Sequence, residues 1–323
     1  MATACFLDAG SVGTDLDFAA LTAAADDWCW HESTRPGDVA ARLADAEIAV
    51  TNKVVIDAAT MAANPQLKLI CVAATGVNNV DLEAARRHGI TVVNAVGYAT
   101  PAVIQHVFAL LLALATRLPQ YHEAVRDGRW QTAPHFCLLD YPITELAGRT
   151  LGIVGHGELG SAVARVATAF GMEILLAARP GVNRAAGDRI PLPELLEQAD
   201  AVTLHCPLTP TTRGLIDADA LERMRSQAFL INTARGGIVD EAALAQALRS
   251  GAIAGAGVDV LTREPPRSGN PLLAPDIPNL VVTPHVAWAS RDARQRLVDQ
   301  VAANVRAYRA GTPCRVVTGA GTN

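Results

Sequence analysis

Short apolar runs alternate with Ala-rich amphipathic stretches along most of the chain. Met1 to Asp8 reads as a first strand. Ile48-Ala49-Val50-Thr51, Leu67 to Ala73 and Ile90 to Val93 are further short apolar runs. Runs of this kind suit strands of a parallel sheet covered on both faces. Ala-rich helical segments lie between them. Thr100-Pro101 then opens a long helix. Thr is a good N-cap, and Pro fits the first turn because its missing N–H has no partner there anyway. This helix is expected to run to about Arg117 and to link two domains.

Residues 118 to 147 break the rhythm, with Tyr121, Trp130, His135, Phe136 and Tyr141 set among several prolines. An extended aromatic segment needs something to pack on, and long loops usually have a function. The expectation is a dimer arm that reaches a second copy of the chain. From Arg149 a new strand–helix series begins, with strands expected at 150–154, 173–177, 200–205, 228–232, 254–258 and 280–283. A last helix, Ser290 to Ala310, is expected to return to the first domain. The predicted fold is α/β, with two Rossmann-like doubly wound parallel-sheet domains. A flavodoxin-like substrate domain takes residues 1–99 and 288–323. A dinucleotide-binding domain, residues 100–287 with the linker helix and the arm, is inserted into it.

Bulk properties narrow the function. At 323 residues the chain suits two domains, and with 50% hydrophobic and 18% charged residues it should fold. A net charge of -5 argues against a nucleic-acid partner, which would call for a basic stripe. The six cysteines are scattered with no Cys-x-x-Cys pair, so neither a metal site nor a disulfide framework is signalled. Reduced thiols in a cytoplasmic protein are expected. The N-terminus lacks the basic flank of a signal peptide. The longest apolar run, Val107 to Ala115, falls short of the roughly 18 residues that would span a membrane.

Leu151-Gly152-Ile153-Val154-Gly155-His156-Gly157-Glu158-Leu159-Gly160 is a strand followed by G-x-G-x-x-G, with a helix after it. That context makes the motif a specific signal for a dinucleotide. Gly155 allows the tight turn, Gly157 lets the backbone approach the pyrophosphate, and Gly160 lets the helix pack close to the sheet. The second strand of the series ends Ala177-Ala178-Arg179-Pro180, where an acidic residue would receive the ribose hydroxyls of NAD. Arg179 stands there instead, with Arg184 and Arg189 nearby. A guanidinium can pair with a 2′-phosphate, so the cofactor is read as NAD(P) with a lean to NADP. Cys206 and Pro207 are plausible walls for the adenine, and His205 reads as structural.

One guanidinium, one carboxylate and one imidazole follow three successive apolar strands. They are Arg235 in Asn232-Thr233-Ala234-Arg235-Gly236-Gly237-Ile238-Val239-Asp240, Glu264 in Glu264-Pro265-Pro266, and His285 in Thr283-Pro284-His285. Residues at the carboxyl ends of such strands converge on one crevice. The group can bind an anionic substrate, orient an imidazole and move a proton. Reduction of a 2-keto acid needs a hydride at the carbonyl carbon and a proton at its oxygen. Protonated His285 can give the proton, Glu264 favours the imidazolium, and Arg235 can hold the carboxylate and polarise the ketone.

These motifs, with Val258-Asp259-Val260, resemble the D-isomer-specific 2-hydroxyacid dehydrogenase family over nearly the whole chain. Thr51-Asn52-Lys53, Cys71 to Gly76, Tyr98-Ala99-Thr100-Pro101 and His285 to Ser290 look like its bacterial glycerate dehydrogenase (hydroxypyruvate reductase) branch. The resemblance implies catalysis by Arg235, Glu264 and His285. It implies substrate contacts from Thr75, Gly76, Val77 and Arg235. Trp288 is open to two roles, pocket wall or core filler. For the cofactor it implies Thr100, Gly155, Gly157, Glu158, Leu159, Gly160, Arg179, Cys206, Pro207, Thr212, Thr233, Ala234, Arg235, Asp259 and His285, with Asp259 on the nicotinamide carboxamide. It implies an oxidoreductase acting on hydroxypyruvate and glyoxylate, a homodimer, and no membrane or nucleic-acid partner.

A reading of a different class is a dinucleotide-sensing, corepressor-like binding protein on the same fold. No extra tail or linker for partner recruitment supports it. A formate dehydrogenase is disfavoured because that branch places Gln where Glu264 stands. A phosphoglycerate dehydrogenase with a regulatory domain is disfavoured because the sequence ends soon after the return helix. His31, His88, His106, His122, His135 and His156 show no ligand spacing, and structural or solvated roles are the default for them.

Overall fold

The apolar runs become short parallel strands in a computed structural model that describes residues 2–179 and 188–318. The chain divides into two compact units, Met1–Ala99 with Trp288–Asn323, and Thr100–Ala287. In the first unit β1 (Thr3–Phe6), β2 (Asp27–Trp30), β3 (Ile48–Thr51), β4 (Leu69–Val72) and β5 (Thr91–Val93) form a parallel sheet ordered β2-β1-β3-β4-β5. Every residue of β3 and β4 is buried, which is why both stood out as continuous apolar runs.

Strand β2 was not legible in that pattern. Its residues Asp27-Trp28-Cys29-Trp30 sit at the sheet edge and remain partly or fully exposed. Trp28 and Trp30 stack at 4.9 Å, and Trp30 lies 5.8 Å from Phe6. The return helix spans Arg291–Arg309, and its cap Ser290 accepts from Ala293 N. It packs on β4 through buried residues that include Leu297, Val301 and Val305.

In the second unit β6 (Thr150–Val154), β7 (Glu173–Ala177), β8 (Arg189–Ile190), β9 (Ala201–Leu204), β10 (Phe229–Asn232), β11 (Gly255–Val258) and β12 (Leu280–Val282) form a parallel sheet. Its order is β12-β11-β10-β9-β6-β7-β8. The chain runs outward from β6 to β7 and β8, then crosses back to β9. The switch point therefore falls at the carboxyl ends of β6 and β9, where open α/β sheets bind ligands. The helix Thr100–Ala115 packs on β10 and β11, with Leu110 against Gly257 and Leu114 against Gly255, while Phe108 stacks on Phe170. Gly257 permits that approach, since a Cβ there would stand 2.8 Å from Leu110 Cβ. Among the described residues no single helix is long and apolar enough to cross a membrane.

The expectation of an extended segment over 118–147 is corrected in its first third. Leu118–Arg126 is a helix with Pro119 in its first turn, and it buries Ala124. Pro in the first turn and apolar residues on one side favour helix over an extended arm. The remainder, 127–149, has no helix or strand. It is braced internally by Tyr121 Oη donating to Tyr141 O at 2.7 Å and by Trp130 Nε1 donating to Phe136 O at 2.9 Å.

Candidate active site

Where β6 runs into the helix Glu158–Ala169, the three glycines meet three different demands. Gly155 has φ +99°, and a Cβ there would sit 2.6 Å from Cys206 N. A Cβ on Gly160 would collide with the carbonyl oxygen of Gly155. Gly157, the N-cap, faces open space instead, with nothing within 4 Å of its notional Cβ. The first turn of the helix thus has room for an anion beside its N–H groups and favourable dipole. A pyrophosphate fits this cradle. Thr100 Oγ1 donates to Glu158 Oε1 at 2.5 Å, which ties down the one acidic side chain of that turn.

The loop after β9 is stiffened from within. Thr212 is buried; its hydroxyl donates to Pro207 O at 2.6 Å and accepts from Thr209 N at 2.7 Å. Thr212 therefore braces the Cys206-Pro207 turn. His205 Nε2 meets Thr203 Oγ1 at 2.9 Å, and burial presses its pKa down to about 4, so the ring is neutral and structural. Thr233 Oγ1, just past β10, is buried without a hydrogen-bond partner, a polar atom suited to a bound ligand. Beyond β7, Ala178 N donates to Ile190 O and Arg179 is exposed. Arg189 Nη1 donates to Ala177 O at 3.3 Å, so that guanidinium is engaged with the strand backbone. Pro180 and Arg184 lie outside the described residues.

Arg235, Glu264 and His285 follow β10, β11 and β12 at one edge of the sheet. Asn232, buried, shapes the first loop: Oδ1 accepts from Ala234 N at 3.1 Å and Nδ2 donates to Arg235 O at 2.9 Å. Arg235 is half-buried, and its Nη1 donates to Ala234 O at 2.7 Å. Gly236 has no room for a side chain, because a Cβ would collide with the backbone of Leu261. Glu264 is held at both oxygens. Oε1 accepts from Leu261 N at 2.8 Å, and Oε2 lies 2.6 Å from His285 Nδ1.

The turn that carries His285 is clamped from below. His285 has φ +56°, a left-handed conformation that costs a non-glycine residue roughly 1–3 kcal/mol and persists only when neighbours enforce it. Asp259, 1% exposed, is the enforcer. Its Oδ1 accepts from Thr283 Oγ1 at 2.5 Å and from Val286 N at 2.9 Å, and its Oδ2 accepts from Ala287 N at 2.9 Å. His285 N donates to Asp259 O at 2.8 Å. Most of the carboxylate is committed to this turn, with one acceptor position left on Oδ2. His106 Nε2 meets Thr283 Oγ1 at 2.9 Å. The sequence offered no spacing that would have singled out His106, and Asn232 and Thr283 stood in the quoted motifs without a role of their own.

In the first unit, Thr75, Gly76 and Val77 form a partly exposed loop after β4. Among the described residues their N–H groups donate to no backbone carbonyl. Asn94 Nδ2 fixes the carbonyl of Thr75 at 2.8 Å. Asp8, another residue the sequence did not mark, is buried and accepts from Asn52 N at 2.8 Å, Lys53 N at 2.7 Å and Val54 N at 3.3 Å. Asn79 Nδ2 then donates to Val54 O at 3.0 Å, which joins that loop to the neighbouring one. Trp288 is half-buried and edge-on to Tyr98 at 6.3 Å.

Residues 108–287 match the family model of the D-isomer specific 2-hydroxyacid dehydrogenase, NAD binding domain. A glycerate dehydrogenase of Methylorubrum extorquens is 50% identical over 294 residues, covering 89% of this chain and 90% of that one. A hydroxypyruvate reductase of Blautia hydrogenotrophica is 35% identical over 308 residues, covering 94% and 95%. The solved structure of an NADPH-dependent glyoxylate/hydroxypyruvate reductase from Sinorhizobium meliloti, in complex with NADP and malonate, superposes with a TM-score of 0.82 at 31% identity, over 98% of this chain and 96% of that one.

The open space at Gly157 yields a test. Gly157→Ala should leave the thermal midpoint nearly unchanged, since the added carbon meets no protein atom. It should weaken NAD(P)H binding about tenfold, or 1.4 kcal/mol, by crowding the pyrophosphate. Fluorescence titration measures the affinity. An unaltered Kd would show that no phosphate comes close to this backbone.

Proposed function

The chain belongs to the D-isomer specific 2-hydroxyacid dehydrogenase family and is an oxidoreductase of that kind, and we propose that it reduces hydroxypyruvate to D-glycerate and glyoxylate to glycolate. The Glu264–His285 contact at 2.6 Å carries this reading. A bound nicotinamide dinucleotide supplies the hydride. Arg235 holds the substrate carboxylate and carbonyl oxygen, and its charge favours the build-up of negative charge on that oxygen. The N–H groups of Thr75, Gly76 and Val77 take further carboxylate contacts, and Trp288 lends an apolar wall. Glu264 accepts from Nδ1 and orients the ring, so that protonated His285 gives its Nε2 proton to the carbonyl oxygen as the hydride arrives. In the reverse direction Nε2 accepts the hydroxyl proton.

The dinucleotide rests on Gly155, Gly157, Glu158, Leu159 and Gly160, with Thr100, Cys206, Pro207, Thr233, Ala234 and the open acceptor position of Asp259 along its length. Thr212 acts through the loop it braces. The setting is cytosolic, which agrees with six free cysteines. The active form is a homodimer. Trp130, Phe136, Leu139 and Ile143 are 52%, 90%, 84% and 59% exposed, an apolar display on one short segment that favours coverage by a second copy. Equilibrium sedimentation at micromolar concentration should return twice the chain mass, and a monomer would overturn this part.

Turnover tests the chemistry. Hydroxypyruvate and glyoxylate should show the highest kcat/KM in a panel of 2-keto acids. Arg235→Ala should lower kcat/KM at least about 100-fold, and His285→Ala should lower kcat about 100-fold or more, both with NAD(P)H affinity nearly intact. A His285→Ala enzyme of normal activity would refute the assignment.

Cofactor choice follows from the end of β7. The sequence has no carboxylate from Ala177 to Gly187 to reward a ribose 2′-hydroxyl or repel a 2′-phosphate, and Arg179 is exposed. NADPH should therefore be accepted and favoured over NADH by about tenfold, the worth of one charge-assisted contact at an open rim. Arg179→Ala should erase that ratio through the NADPH value. A wild-type enzyme that ignores NADPH would return Arg179 to an ordinary loop residue.

A further inference from the structure

Hydrogen accounting around Asp259 gives His106 a task. Asp259 accepts from Thr283 Oγ1 at 2.5 Å, and a carboxylate can only accept, so the single hydroxyl proton of Thr283 is spent there. Towards His106, 2.9 Å away, Thr283 Oγ1 must therefore accept, and His106 Nε2 carries a proton. Nε2 is also 3.5 Å from Asp259 Oδ1, so one imidazole N–H faces both acceptors. The chain of bonds runs from His106 through Thr283 to Asp259, then to the N–H groups of Val286 and Ala287, the two residues that follow His285.

His106 sits on the helix Thr100–Ala115, whose first residue bonds Glu158 at the dinucleotide cradle. Val103, Val107 and Phe108 on either side of His106 are buried, which fixes the helix against the sheet. One rigid helix thus touches the cradle at its start and the His285 turn at His106, about 9 Å further along its axis.

We propose that His106 is a positioning residue for His285: its Nε2–H orients the Thr283 hydroxyl so that Asp259 stays loaded and holds the left-handed turn. The proposal rests on the reading of His285 as proton donor. It assigns His106 no contact with substrate or cofactor. Its loss should slow the chemical step and spare the cradle.

The test compares His106→Leu, His106→Gln and Thr283→Val in the intact enzyme, with hydroxypyruvate and NADPH. His106→Leu should lower kcat about tenfold or more while the NADPH Kd stays at the wild-type value. His106→Gln, whose amide can replace the Nε2–H donor, should recover most of the loss. Thr283→Val should lower kcat similarly, and the double variant His106→Leu/Thr283→Val should be no worse than the poorer single one, because both break one chain of bonds. Wild-type kcat in His106→Leu, or a Gln variant no better than Leu, would overturn the proposal. If His106→Leu does not fold, the near-isosteric Thr283→Val decides alone, and a wild-type kcat there overturns it. His285→Ala separates the two readings. If that variant keeps its activity, the assignment of His285 fails; if it is inactive while His106→Leu and Thr283→Val turn over normally, only the role of His106 fails.

Discussion

The arrangement of the site depends on one buried carboxylate. Asp259 is 1% exposed, and it gathers two backbone N–H groups and one hydroxyl from the segment 283–287. An ionised carboxylate bonds such donors more strongly than a neutral acceptor would, and it is costly to leave unpaired. That makes the turn rigid enough to hold His285 at φ +56°. Without the clamp, the ring would be free to leave the Glu264 oxygen it meets at 2.6 Å. Glu264 and His285 stand in recognisable motifs, but the support that holds them in contact is one layer deeper.

Close backbone approach is the second constraint. Gly155, Gly160 and Gly236 each stand where a Cβ would run into main-chain atoms of a neighbouring segment. These contacts bring the β6 turn against the β9 loop, and the Arg235 loop against the segment that leads to Glu264. Such collisions are with backbone, not with side-chain ends that could swing aside. These three glycines thus have a structural task of their own. Gly157 is the exception, since its missing side chain leaves space and no contact.

Legibility in the sequence followed the physics of each element. Strands buried on both faces, such as β3, β4, β9 and β10, had to be continuous apolar runs, and they were found within a residue or two. Helix starts at Glu241 and Arg291 were marked by Asp240 and Ser290, whose side chains cap them. The edge strand β2, with Asp27 and two partly exposed tryptophans, carries no such signature. Nor does β8, which is two residues long. In 118–126 the aromatic content drew attention away from a Pro-initiated helix. Arg235, Glu264 and His285 could be marked as candidates because each follows a recognisable strand. Asp8, His106 and Thr283 could not, because a single polar residue in an apolar stretch has no spacing, and its meaning lies in what folds against it.

The two units solve one problem in the same way. Each must project loops from the carboxyl edge of a parallel sheet and hold them still without a regular hydrogen-bond ladder. In the second unit Asp259 does so by collecting N–H groups from the His285 turn. In the first, Asp8 follows β1 and collects the N–H groups of Asn52, Lys53 and Val54. Burial raises the pKa of Asp8 above the usual carboxylate range, and those N–H bonds oppose the shift without cancelling it. Desolvating the carboxylate is a cost that the donors offset in part. A neutral acceptor of similar shape would avoid that cost but would bind the same donors less strongly. An aspartate at this position thus holds the loop in few alternative conformations. The Thr75–Val77 loop is tied through Asn79 to the segment that Asp8 holds, so the same carboxylate steadies both loops.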